Sequence, residues 1–377
     1  MAATRSPERA LARIDLGAVE RNCARLAGGL TGGAELCAVV KAGGYGHGAV
    51  ECARAARDGG ATWLATATAA EAGELRAAGL DGRILVQGAL TAEELLLALD
   101  ADADVVAWRE DFARALARAA AERGSAARVH VKLDTGMGRL GTPDAGEAHR
   151  VADLVAAEPS LELAGGMTHF ATADELEDEY FPAQLARFSA FAGELRARHA
   201  GVIAHAANSA ATLRDPASHF DLVRCGVAVY GLDPFQEDPR ARGLEPALAL
   251  ESYVAAVKRF EGGQSAGYGR TWRTERPTWV GVLPIGYGDG VRRGLSNNAD
   301  VLVGGRRRPL VGTVSMDNVT VDLGPETDVD VGDRVVLIGG QGGERILCEE
   351  MAGRLATINY EVTCGLSPRV RRLSERA

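Results

Sequence analysis

Lys41 stands at the end of an apolar run, Leu36-Cys37-Ala38-Val39-Val40, and leads into Ala42-Gly43-Gly44-Tyr45-Gly46-His47-Gly48. A lysine placed there has strand packing on one side and a glycine-rich turn, open to a ligand, on the other. Desolvation disfavours its ammonium form, and the free amine is a nucleophile toward an aldehyde. The competing reading is a strand-end lysine whose stem covers the strand while its head reaches water. A second cation, Arg224, sits inside another apolar run, Leu222-Val223-Arg224-Cys225-Gly226-Val227. A buried arginine needs an ion-pair partner or a ligand, and the glycine beside it leaves room for backbone N–H groups of Gly226 and Val227 to meet a phosphate. Lys132, Asp134 and Arg139, then His169, then Asn208 and Ser209, each follow or end an apolar run of their own.

The elements that must carry these residues read as a repeating pattern. Apolar runs at Leu36–Lys41, Thr62–Ala65, Arg83–Val86, Asp104–Ala107, Arg128–Leu133, Leu163–Thr168, Val202–Ala206 and Leu222–Cys225 alternate with alanine-rich segments of helical period, such as Ala69–Ala78, Ala92–Leu99, Asp111–Glu122 and Pro182–His199. Eight such units predict an α/β fold, a (β/α)8 TIM barrel, with working residues at the C-terminal strand ends. A doubly wound open sheet is the rival, but the turn after the first strand lacks the dinucleotide glycine pattern. After Gly231 the texture changes. Asp233–Glu245 reads as a linker rich in proline and charge. Strand signals then recur at Ala247–Val257, Trp279–Pro284, Val301–Leu302, Asn318–Leu323 and Arg334–Ile338, with a closing helix at Cys348–Leu355. The expected organisation is residues 1–15 as a strand pairing with the β domain, 16–240 as the barrel and 241–377 as a mainly β C-terminal domain.

Composition narrows the class of function. The chain has 377 residues, 46% hydrophobic and 25% charged, with a formal charge of −9. That balance suits a globular enzyme and disfavours a nucleic-acid partner; Arg306-Arg307-Arg308 reads as a solvated turn. The six cysteines, at 23, 37, 52, 225, 348 and 364, lack close metal-ligand spacing, so no metal is expected and they read as reduced core residues. Met1 to Glu8 has no apolar core of a secretory signal, and no stretch reaches membrane-spanning length. The expectation is a cytoplasmic protein with no membrane partner.

An imine-forming lysine, a phosphate cradle and a cation facing a heteroaromatic ring together point to pyridoxal 5'-phosphate. At this point the motifs become specific. Val39–Gly48, Val131-Lys132-Leu133-Asp134-Thr135-Gly136-Met137-Gly138-Arg139-Leu140-Gly141, Thr168–Asp174, His205–Ala210, Gly267-Tyr268-Gly269, Ile285–Gly290, Ser315-Met316-Asp317 and Thr357–Glu361 resemble alanine racemase, in order, from about Ala10 to Arg369. The resemblance implies interconversion of L- and D-alanine by two bases, supplying D-alanine for peptidoglycan. Lys41 would hold the cofactor and act on one face of the substrate, and Tyr268 on the other. Tyr45, Asn208, Ser209, Gly226, Val227 and Tyr360 would bind the cofactor, largely at its phosphate. Arg224 would face the pyridine nitrogen and, through His169, favour the phenolate of Tyr268. Arg139 would meet the cofactor's phenolic oxygen and the substrate carboxylate, with the Met316 backbone. Lys132 matches a position carbamylated in many relatives. Tyr287, Arg293, Asp174 and Ile358 match the substrate corridor, with Asp317 at its inner end. A homodimer with active sites shared between subunits is also implied.

Two departures stand out. Gly43-Gly44 replaces the usual aspartate-alanine pair and is expected to loosen the turn carrying Tyr45. Thr313-Val314-Ser315 replaces arginine-valine-cysteine, removing a corridor cation and with it a source of selectivity for alanine. The alternatives are a racemase of serine or another amino acid, a decarboxylase of the same fold, and a non-catalytic pyridoxal phosphate carrier. The decarboxylase's glycine-triplet loop is absent at matching positions, and the carrier would lack the second domain that holds Tyr268.

Overall fold

The computed structural model describes residues 8–376; the reading of the chain's start as unlike a secretory signal falls mostly on residues 1–7, outside the described residues. The chain divides into two compact units, Val19–Val229 and a second built from Met1–Ala18 with Tyr230–Ala377.

In the first unit eight parallel strands follow one another in space as in sequence. They are β2 (Glu35–Val39), β3 (Trp63–Thr66), β4 (Arg83–Val86), β5 (Asp104–Ala107), β6 (Ala127–Lys132), β7 (Leu161–Met167), β8 (Ile203–His205) and β9 (Leu222–Cys225), with β9 returning to pair with β2; β1 (Leu11–Asp15) belongs to the second unit. This is the expected barrel. Its strands are short and buried on both faces, because the helices cover the outside and the strands' own side chains fill the inside. β8 and β9 share no ladder, but Asp221 N–H donates to Ala204 O (3.0 Å) and Arg224 N–H to Ala207 O (2.9 Å). The helices begin where local chemistry starts them. Thr68 and Glu71, and Thr91 and Glu94, form reciprocal capping boxes ahead of Ala69–Ala77 and Ala92–Asp100. Alanine on their inner faces, such as Ala113, Ala117 and Ala120 of Glu110–Arg123, lets helix and sheet approach closely.

The second unit is a largely antiparallel sheet. Its strand order is Ala256–Phe260, Thr278–Leu283, Val319–Gly324, Arg306–Val311, Asp300–Val303, Arg334–Gln341, Leu248–Tyr253, β1 and Arg371–Glu375, of which the last pair alone is parallel. Four sequence expectations need correction here. The strand read as Ala247–Val257 breaks at Val254-Ala255. The helix Cys348–Leu355 does not close the chain; a short helix, Asn359–Cys364, and the strand Arg371–Glu375 follow. Arg306-Arg307-Arg308 lies in a strand, and the turn before it is Gly304-Gly305 at positive φ; Arg307 is held by Glu344 and Glu350. Asp233–Glu245 is not a loose linker. Asp233 is fully buried, its carboxylate accepts from Glu237 N–H and Arg242, and its carbonyl accepts from Asn359. The chain passes into this unit at Tyr230, eleven residues before the expected 241.

Candidate active site

Lys41 begins a single turn of left-handed helix. Ala42, Gly43 and Gly44 have φ/ψ of 53/47°, 61/38° and 65/46°, and Tyr45 and Gly46 keep positive φ. Three backbone bonds close it, Gly44 N–H to Val40 O (2.9 Å), Gly46 N–H to Ala42 O (3.0 Å) and Gly48 N–H to Gly43 O (2.7 Å). Left-handed turns cost an L-residue about 1–2 kcal/mol at each position, a cost glycine escapes. The Gly43-Gly44 pair therefore does not loosen this turn; it removes strain from one that is fully bonded. Glu71, the capping glutamate of the next helix, also accepts from Ala42 N–H (2.7 Å), tying Lys41's turn to the strand beyond.

Arg224 lies buried in β9 with no carboxylate partner among the described residues. Its Nη1 donates to His205 Nδ1 (2.8 Å) and its Nη2 to Thr168 O (2.7 Å), Ala206 O (3.0 Å) and, longer, His169 Nδ1 (3.3 Å), while Nε has no hydrogen-bond partner among the described residues. The ion-pair alternative for this arginine is thereby removed. Burial lowers its pKa to about 10, which leaves it a cation near neutrality. The same cation, added to desolvation, holds His169 and His205 well below the usual histidine range, so both imidazoles are neutral. Next to Arg224, the Ser209 hydroxyl accepts from Gly226 N–H (3.0 Å) and Ala228 N–H (3.3 Å) and keeps its own proton to donate. Asn208 caps the helix Ser209–Arg214 through Ala211 N–H (3.0 Å). The Tyr45 hydroxyl lies over Gly226, where a Cβ would come within 2.2 Å of it; Val227 follows, fully buried. Tyr45, Ser209 and Gly226 thus converge at one place.

At the end of β6, Lys132 is buried and its pKa falls to about 8, through desolvation first and then the charges of Arg224, Arg139 and Lys41 against Asp134. Asp134 is a turn-former: it accepts from the main-chain N–H groups of Gly136 (2.9 Å), Met137 (2.7 Å), Gly138 (3.2 Å) and Arg139 (3.1 Å). Burial pushes its carboxyl up, but these bonds outweigh it and hold it below the usual range. The turn presents Arg139 exposed.

The remaining predicted residues belong to the second unit. Tyr268 is 73% exposed on a turn that opens at Gly267, φ +73°. Thr313, buried, donates from its hydroxyl to Tyr268 O (2.8 Å) and faces Thr271 Oγ1 at 3.1 Å. Tyr287 and Met316 are exposed on two loops laced by Tyr287 N–H to Ser315 O (3.0 Å) and Gly288 N–H to Met316 O (2.9 Å). Asp317 pairs with Arg369 (2.6 Å). Tyr360 is half-buried in Asn359–Cys364, and Arg293 and Ile358 are exposed, as is Asp174 in the barrel unit.

Sequence reasoning did not single out His205, His130 and Asp104 as a group. They form a buried line: His205 Nε2 lies 2.8 Å from His130 Nδ1, and His130 Nε2 lies 2.8 Å from Asp104 Oδ2. The signal was available, since each is a polar residue within an apolar strand.

Comparison with known proteins shows the family. Residues 14–234 match the family model "Alanine racemase, N-terminal domain" and residues 247–374 match "Alanine racemase, C-terminal domain". The chain is 44% identical over 364 residues to alanine racemase of Symbiobacterium thermophilum, covering 96% of each. It is 41% identical to alanine racemase 1 of Bacillus subtilis, covering 96% of this chain and 92% of that one. The crystal structure of alanine racemase from D-cycloserine-producing Streptomyces lavendulae matches with TM-score 0.93 and 39% identity, covering 99% of this chain and 98% of that one.

Proposed function

Because this chain belongs to the alanine racemase family, we propose that it interconverts L- and D-alanine, removing the α-proton on one face and returning one on the other, and so supplies D-alanine for the cell wall. The observation that carries the reading is Arg224: a buried guanidinium that, among the described residues, has no carboxylate partner and an unbonded Nε. Such a group requires an uncharged or anionic acceptor. The residues around it fit pyridoxal 5'-phosphate. Arg224 would meet the ring nitrogen, Tyr45, Ser209, Gly226, Val227 and Tyr360 the phosphate, and Lys41 the aldehyde carbon; Asn208 would act from beneath by capping the helix that carries Ser209. When bound, the cofactor would draw electrons from the substrate's Cα and make its proton removable at neutral pH.

The protein's own groups do the rest. Lys41 Nζ takes or returns the proton on one face, and the Tyr268 hydroxyl on the other; two bases are needed because one group cannot reach both faces. Arg224 remains protonated with its pKa near 10, so it donates to the ring nitrogen and does not supply it a proton. His169, with Nδ1 facing Arg224, carries its proton on Nε2, the proton it would donate to a catalytic phenolate. Arg139 and the Met316 main chain orient the substrate carboxylate, and Tyr287 and Asp317 line its approach. Lys132 is a candidate for carbamylation: its depressed pKa raises the fraction of free amine that can add carbon dioxide with loss of a proton, and the resulting anion would orient Arg139. Tyr268 comes from the partner subunit, so the active form is a homodimer. The free cysteines, most of them buried, suit the reducing cytoplasm, and no helix among the described residues is long and apolar enough to cross a membrane.

The test is incubation of pyridoxal phosphate-loaded protein with L-alanine in deuterated water. Deuterium at Cα together with D-alanine is expected. Carbon dioxide release, or no exchange at Cα, overturns the reading.

A further inference from the structure

We propose that His205, His130 and Asp104 are positioning residues for Arg224, fixing the direction in which its hydrogen bonds run and hence the way it faces the site. The inference rests on the reading of Arg224 as the cation at the cofactor's ring nitrogen.

A guanidinium can only donate. His205 Nδ1, 2.8 Å from Arg224 Nη1, is therefore an acceptor. A neutral imidazole with a bare Nδ1 carries its proton on Nε2, and that N–H points at His130 Nδ1, 2.8 Å away. His130 Nδ1 is then also bare, and its Nε2–H donates to Asp104 Oδ2 at 2.8 Å. Every proton position follows from its neighbour. The line is anchored by a cation at one end and, at the other, by a carboxylate that also accepts from Arg83 (2.5 Å) and Arg128 (2.7 Å).

The line runs between the two ends of the barrel wall. Asp104 is the first residue of β5, His130 lies in β6, His205 ends β8 and Arg224 is in β9. His130, His205 and Asp104 are fully buried and Arg224 is 3% exposed. Room for the His130 ring is made by Gly165, where a Cβ would lie 2.2 Å from Nδ1. A purely stabilising cluster around Asp104 is complete with Arg83, Arg128 and His130. It does not need His205, yet each histidine ring has both nitrogens bonded, and the bonding carries a single polarity to Arg224.

Removing the acceptor at position 104 releases the polarity. In Asp104→Leu the His130 Nε2–H loses its acceptor, neither ring's tautomer is fixed any longer, and a His205 that takes Nδ1–H opposes Arg224's own N–H. A displaced Arg224 no longer excludes a proton from the ring nitrogen. More turnovers then end with alanine's amino group on the cofactor, giving pyruvate and pyridoxamine phosphate. We expect this fraction to rise about tenfold, the scale of one lost hydrogen bond to a charged group, together with a shift in the bound cofactor's absorption. His130→Phe keeps a ring, removes the link and is expected to do the same. Nitrogen-15 spectra of the wild-type protein, with and without cofactor, should show Nδ1 bare and Nε2 protonated on both His130 and His205. The opposite tautomer on either ring overturns the proposal, whether or not a variant folds. So does a fall in thermal stability in both variants with absorption and partition unchanged. Absence of racemisation in the wild type would instead strike the functional reading, and the tautomer result stands apart from it.

Discussion

Thr313, where the resemblance led us to expect a corridor cation, commits its hydroxyl to the carbonyl of Tyr268 at 2.8 Å. It therefore holds the turn that carries Tyr268. Thr313→Val keeps the shape and removes the donor. One neutral hydrogen bond contributes about 0.5–1.5 kcal/mol, so kcat/KM for L-alanine should fall between about twofold and tenfold, measured by D-alanine formation. The ratio of rates with L-serine and L-alanine should not move; a shift in that ratio would return selectivity to the hydroxyl. At this scale the sequence was readable where charge interrupted an apolar run, as at Lys41 and Arg224. It was less readable where a polar residue's duty lay in another residue's orientation. Thr313 holding Tyr268 and Glu71 holding Ala42 are contacts between segments, and neither type nor spacing signals them. The roles assigned to Lys41, Tyr268 and the cofactor contacts stand as proposals that the experiments above address.

The left-handed turn after β2 is the element on which Lys41 and Tyr45 are hung. Gly43→Ala meets no neighbour, since nothing lies within 4 Å of the added Cβ, but its φ of +61° remains. The strain of about 1–2 kcal/mol is partly offset by the unfolded-state entropy that alanine removes, about 0.5–1 kcal/mol. A net loss of up to about 1.5 kcal/mol is expected by thermal unfolding, with weaker cofactor retention because Tyr45 sits in the same turn. An unchanged or raised Tm would mean that the turn relaxes. The barrel elements were legible because each strand is an apolar run bounded by helical alanine patterns. Arg371–Glu375 was not: Arg371-Arg372-Leu373-Ser374-Glu375 has little strand character of its own. It is a strand because β1 offers an edge for it to pair with.

For the molecule as a whole, the proposed exchange of Tyr268 between subunits has a quantitative test. Lys41→Ala and Tyr268→Phe homodimers should each be inactive. Mixed and allowed to exchange subunits, half the dimers become hybrids, each with one intact site, so about a quarter of wild-type activity should return. No recovery after demonstrated exchange would place both bases in one chain. Acid stability gives a second prediction. Burial raises the Asp104 carboxyl, but bonds from His130, Arg83 and Arg128 outweigh it and hold its pKa at about 2, against an ordinary 3.8. A depressed carboxyl stabilises the fold above its unfolded pKa and loses that contribution as pH falls through the folded one. The effect is of the order of 2 kcal/mol. The Tm gap between wild type and Asp104→Asn should therefore narrow as pH drops from about 5 towards 2.

The missing ladder between β8 and β9 has one more outcome. Arg224 spans that seam, its guanidinium gripping Thr168 O and Ala206 O while its amide grips Ala207 O. The cation assigned to tune the chemistry is also a stitch in the vessel's side. Evolution is thus not at liberty to swap it for a carboxylate, however useful a protonated ring might be for other reactions, without unpicking the wall that contains them.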